Sequence, residues 1–293
     1  MILTAFLTAF LTAFPLFALP QDPAAEEPSQ EPEAEVIEQP SPAEAAAAIK
    51  EVLKGKDYIA IAATIEELGM IEGKPVVKAV AGAFKSKDKL VKTAAIRALR
   101  YNPDPGALSE LLKRKKDKSI VDDPELAVEY YHALGQAGSA KAIDVLCDDL
   151  FSGAKGDKVA KARIHSLGHI RDKESVDELM GYMVSSGGGR RGRGGGPRYA
   201  QDVRLALVVL TGEDHGTDTT AWLGWWGDNK SKLKISEEEW PLPNAKRQRQ
   251  WRRLWGTPQQ KEEARKEREE KRKERKDEDG GDEGGEESGD GGS

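Results

Sequence analysis

VAKARIHSLGHIRDKESVDELMGYM, residues 159–183, reads as two short amphipathic helices joined by a tight turn. Apolar or small residues recur at Val159, Ala162, Ile164 and Leu167, then at Val176, Leu179, Met180 and Met183. Those are helical spacings. Gly168 follows the first run, where a residue without a Cβ suits a left-handed helix end. Helices this short are not stable alone in water. They need neighbours, and the chain supplies them by repetition. Leu68-Gly69, Leu134-Gly135 and Leu167-Gly168 each close an apolar run. Leu99 falls at the same phase with Arg100 in place of the glycine, and Leu210 follows with Gly212 one residue late. These leucines stand 31, 35, 33 and 43 residues apart. The last step contains a Gly/Arg-rich insertion that accounts for its excess. Each of the first four runs is followed by a second apolar run: 76–84, 107–112, 142–150 and 176–183. Two helices per period of about 33 residues is the pattern of a solenoid.

VKTAAIRALRYNPDPGALSELL (91–112), LAVEYYHALGQAGSAKAIDVLCDDL (126–150) and the opening stretch resemble HEAT repeats. More narrowly they resemble the short bacterial type also found in phycobilin-lyase-related proteins. The resemblance covers residues 57–230. It implies an α-solenoid, and it implies a scaffold or binding surface more readily than any one chemistry. Arg100 and the longer connection at Lys113–Lys118 depart from the repeat pattern.

Working toward the N-terminus, Pro42 opens a helix over PAEAAAAIKEVLKG, and Asp57 is placed to cap the next. Residues 21–41 form a linker rich in Pro, Glu and Ala, too poor in apolar surface to offset the entropy of ordering. Residues 1–20, MILTAFLTAFLTAFPLFALP, are uncharged after the first residue and read as a secretory signal peptide. The competing reading is an uncleaved membrane anchor. Export, to the periplasm or beyond the cell, is the expected localisation.

Working toward the C-terminus, GGGRRGRGGGPR (187–198) lies within a Gly/Arg-rich loop, 185–199, that carries Arg190, Arg191 and Arg193. It reads as a solvated insertion or as a short anion-binding element. Trp222, Trp225 and Trp226 share one face of a closing helix that Thr217 or Asp218 can cap. Residues 233–259 are a connector, anchored by Trp240, followed by the basic AKRQRQWRRLW (245–255). There Trp251, Arg252, Arg253 and Trp255 are candidate partner contacts. Residues 260–278 read as a charged helix supported by Glu-to-Lys pairs four apart. Residues 279–293 form an acidic, glycine-rich tail expected to be disordered.

The net charge of −6 hides strong segregation. Residues 246–276 hold 14 basic and 6 acidic residues, whereas 277–293 hold eight acidic and no basic ones. Residues 22–44 hold a further eight acidic residues and no basic ones, which leaves 48–245 at a net +2. That nearly neutral core predicts no specific nucleic-acid footprint. The single cysteine, Cys147, precludes an intrachain disulfide and reads as a small buried hydrophobe. His165 and His169 are four apart, but no glutamate follows His165 as a zinc-protease helix requires. No cofactor or metal site is expected.

Two residues before successive ending leucines stand Glu66, Arg97, His132 and His165. In a solenoid such equivalent positions line up into a ridge, either a solvated face or a binding surface. The expected fold class is therefore all-α: an α-solenoid of HEAT-like helix pairs over 42–232, with disordered N- and C-terminal tails. The expected function is an exported, non-catalytic scaffold that binds a protein partner. The alternatives are an enzyme or enzyme accessory of the HEAT-type lyase kind, or an anionic-polymer binder through the arginine segments. A membrane would be a partner only if residues 1–20 stayed uncleaved.

Overall fold

The computed structural model describes residues 39–148, 150, 156–185 and 199–279. Residues 1–20, most of the linker, the acidic tail beyond Asp279, and Arg190, Arg191 and Arg193 lie outside these. From Pro40 on, the chain forms one unit, all-helical and without strands among the described residues. Its helices are α1 (Pro42–Val52), α2 (Tyr58–Leu68), α3 (Lys74–Gly82), α4 (Lys89–Tyr101), α5 (Gly106–Leu112), α6 (Lys118–Val121) and α7 (Pro124–Gln136). They continue with α8 (Ile143–Cys147), α9 (Asp157–His169), α10 (Lys173–Ser185), α11 (Ala200–Thr211), α12 (Thr219–Asn229), α13 (Ala245–Trp255) and α14 (Pro258–Asp279).

Side-chain caps set many of the starts. Ser41 and Glu44 form a capping box on α1, and Asp57, Asp88, Asp123 and Asp218 accept from the first-turn amides of α2, α4, α7 and α12. Each such cap is worth about 1 kcal/mol. The packing then follows two successions. α2, α4, α7, α9 and α11 each lie against the next, and α1, α3 and α5, like α8, α10 and α12, do the same. One continuous core runs through both, from Ala45 and Ile49 to Trp222 and Trp226. Asn102 stitches neighbours together by donating from Nδ2 to the carbonyls of Gly69 and Ile71 at 2.8 and 2.9 Å.

The glycines after the ending leucines do not act as left-handed helix stops. Gly69 is right-handed (φ −74°), and α7 and α9 run straight through Gly135 and Gly168. Their role is close approach. A Cβ on Gly69 would lie 2.7 Å from the Cβ of Ala98, one on Gly135 would lie 2.6 Å from the Cβ of Ser166, and one on Gly168 would lie 2.6 Å from the Cβ of Ala206. Those distances are below van der Waals contact, so consecutive helices meet backbone to side chain with no space for a methyl group. Of the glycines that follow an ending leucine, only Gly212 takes the left-handed conformation (φ 78°), at the end of α11.

This predicts a split among glycines. Gly135→Leu should force α7 and α9 apart and cost about 1–3 kcal/mol. At exposed Gly224, where an added Cβ meets nothing within 4 Å, Gly→Ala should stabilise by about 0.5–1 kcal/mol. Urea unfolding of the two variants measures both.

Candidate functional site

The functional candidates converge where α13 lies across the α4–α7–α9–α11 succession. The seat is prepared by a connector that crosses the end of α11. The Trp240 amide donates to the Val209 carbonyl at 3.1 Å, and the Trp240 ring fills the space above Gly212. Arg171, just past α9, donates to the carbonyls of Val209, Ser236 and Glu238 and so pins the connector. Asn244 then caps α13.

Trp251 and Trp255 are four residues apart and so project from the same side of α13. Both are buried, and with Val208, Val209 and Leu242 they form a second apolar cluster. Each ring also faces imidazoles. His165 meets Trp251 edge-on at 5.8 Å, His132 meets Trp255 edge-on at 5.8 Å, and His169 stacks on Trp255 at 4.1 Å with 4° between the planes. A Cβ on Gly168 would lie 3.0 Å from the tip of the Trp251 ring, so the glycine that admits α11 also admits the tryptophan. At the far end Arg100 lies over Trp255 at 5.5 Å and donates to the Leu254 carbonyl, and the Tyr101 hydroxyl donates to the Gly256 carbonyl at 3.3 Å.

Carboxylates complete the arrangement. Glu239 takes His169 Nδ1 at 2.8 Å on one oxygen and accepts from Trp251 Nε1 at 3.0 Å on the other. Burial works to raise the Glu239 pKa, but the His169 and Trp251 hydrogen bonds outweigh it and hold it below the usual range. Asp202 meets His165 Nε2 at 3.0 Å, and there too the His165 and Lys161 contacts overcome burial and lower the pKa. For His132, loss of water beneath Trp255 is the main effect, reinforced by Arg100, His165 and Lys261, and its pKa is pushed down to about 3. Burial likewise lowers the Arg100 pKa.

The ridge residues therefore divide. Glu66 pairs with Arg97 at 3.6 Å, and Arg97 with Glu129 at 2.9 Å, a mutually neutralised and partly exposed row. His132 and His165 are covered by α13. Trp251 and Trp255 are brought onto the ridge, whereas Arg252 and Arg253 stay exposed on the opposite side of α13. α9 continues through His169, so this side chain belongs to the site and does not trail off a helix end. Arg100, Asp202, His169 and Glu239 were not singled out from sequence as site residues. Two signals were legible: Arg100 directly after Leu99, where Leu68, Leu134 and Leu167 are each followed by glycine, and the four-residue spacing of His165 and His169, which does not fit a zinc-protease helix. Cys147 is half-buried, with its thiol pushed up to about 12 by desolvation. Among the described residues no group of three or more His, Cys, Asp or Glu is placed to hold a metal ion, and no helix is long and apolar enough to cross a membrane. Compared with known proteins, the chain matches no family model and no curated protein sequence.

The depressed His132 pKa gives a pH prediction. The folded site holds this imidazole neutral down to about pH 3, whereas a released imidazole takes its proton near pH 6.5. Stability is therefore fully present above about 6.5 and is lost as pH falls from there toward the folded value, by at most about 1.4 kcal/mol per unit. Urea unfolding should show a stability drop between pH 7.5 and 5.5, and His132→Gln should flatten it.

Proposed function

We propose that this chain is an exported, non-catalytic α-solenoid of HEAT type that binds a protein partner by seating a helix across α4, α7, α9 and α11. The supporting observation is α13 itself. It is an amphipathic helix whose two aromatics drop onto an imidazole-rich face while its charged side stays in water. That is helix-in-groove recognition, with anchors four residues apart supplying most of the energy. Truncating a buried tryptophan costs about 3–5 kcal/mol, enough for two anchors to hold a short helix in place.

The histidines are engaged in ways that suit recognition. His165 and His169 are each oriented by a carboxylate, and His132 stays neutral beneath a ring. The seat is also imperfect for its present occupant. Trp255 Nε1 is buried with no acceptor among the described residues, a cost of about 1–3 kcal/mol. A partner helix with an aromatic ring lacking that N–H would avoid the cost and exchange with α13. Export rests on the composition of residues 1–20, and the HEAT assignment rests on the shared register of the leucine-ended helices.

The test uses a chain ending at Pro243, its fold checked by cooperative unfolding, and a labelled peptide covering residues 244–257. Saturable binding is expected, weakened at least about tenfold when both peptide tryptophans become alanine. A folded truncated chain that binds both peptides equally, or neither, would remove the reading.

A further inference from the structure

A second concave surface lies on the other side of α13. A groove of about 1030 Å³ separates it from α14. Arg249, Arg252 and Arg253 line it from α13, and Lys261, Arg265, Arg268 and Arg272 from α14. Three carboxylates share the lining: Glu239, Glu267 and Glu269. Glu239 is committed to His169 and Trp251, and Glu267 is paired with Lys271. Arg265 also reaches Glu262 at 2.6 Å. The balance remains strongly positive, and six of the seven cations are guanidinium groups, whose planar fork matches carboxylate geometry.

The shape and lining narrow the ligand. A bilayer is flat and this surface is concave, and α14 has no apolar face to insert. Single-stranded nucleic acid uses open aromatic platforms, but the lining aromatic, Trp255, is buried against the histidines. Glu267 and Glu269 would also repel a continuous phosphate backbone. A carboxylate-bearing polypeptide, which can place its charges between those glutamates, fits best.

The chain supplies such a segment directly after α14. Residues 280–293 hold five acidic residues, Asp282, Glu283, Glu286, Glu287 and Asp290, and no basic ones. Reach is sufficient. The stretch of α14 from Arg265 to Asp279 is about 21 Å long at 1.5 Å per residue, and fourteen extended residues cover up to about 50 Å. Tethering raises the effective concentration to the order of millimolar. We propose that the α13–α14 groove is a binding site for acidic polypeptide and that residues 280–293 of the same chain occupy it. Individual exposed ion pairs contribute little, about 0–1 kcal/mol each, so the tail holds through several at once. It yields to salt and to an acidic partner that offers more contacts. The groove shares Trp255 and Glu239 with the α13 seat but takes its cations from the outward side of α13 and from α14, so the inference rests on α13 being seated and not on the identity of any partner helix.

The experiment compares the full chain with a chain ending at Asp279, using a labelled oligo-glutamate peptide and a labelled oligothymidylate at low salt. The truncated chain should bind oligo-glutamate at least about tenfold more tightly than the full chain, and added salt should erase the difference. Arg265→Gln with Arg268→Gln should abolish the gain. Both lie on exposed α14 and should leave the thermal midpoint unchanged. Equal affinity of the two chains for oligo-glutamate would remove the tail as occupant. Tighter binding of oligothymidylate by the truncated chain would make the groove a nucleic-acid site, and no binding of either probe would remove the site altogether.

Discussion

At Gly168 there is room for a hydrogen atom and for nothing larger. α11 presses on it through Ala206, and the tip of the Trp251 ring converges on the same point. The same constraint that packs the array thus creates the depression in which α13 rests. Gly69 and Gly135 repeat the first half of this geometry, letting α4 approach α2 and α9 approach α7. Dispersion and apolar burial rise steeply at such short separations. The helical stack holds by close contact between small residues as much as by its leucines.

Where the glycine is replaced, the chain gains a different function. Arg100 directly follows Leu99, as Gly69, Gly135 and Gly168 follow Leu68, Leu134 and Leu167, and its guanidinium reaches Gln136, the Leu254 carbonyl and the Trp255 ring. The array thereby carries a charged clamp at one end of the α13 seat and a carboxylate clamp, Glu239, at the other. Between them three imidazoles and two indoles interlock. Aromatic pairs of this kind add about 0.5–1.5 kcal/mol beyond the area they bury, which favours one register of α13 over its neighbours. α13 consequently separates two chemically distinct surfaces. One is aromatic and imidazole-rich beneath it, and the other is guanidinium-rich toward α14.

The helical order was readable because it rests on local signals. Pro42 and Glu44 begin α1, Asp57 and Asp218 cap α2 and α12, and the leucine-ended runs fall on α2, α4, α7, α9 and α11. The role of the glycines was misjudged, because a glycine at a helix end and one at a close crossing look alike in one dimension. The docking of α13 was not visible at all. Arg100 and Leu254 are 154 residues apart, and no periodicity connects a basic Trp-containing segment to histidines on α7 and α9. The ridge of Glu66, Arg97, His132 and His165 was found by register alone. What register cannot show is that its first two members neutralise one another while the last two lie under another helix.

The central claim is that α13 rests on this face through ring contacts, and the His169–Trp255 stack is the closest of them. A double-mutant cycle with His169→Ala and Trp255→Ala, read by urea unfolding, measures that contact directly. A seated α13 predicts a coupling of about 0.5–1.5 kcal/mol between the two changes. Costs that add to within about 0.3 kcal/mol would mean that the rings do not meet, and the account of the site would fail.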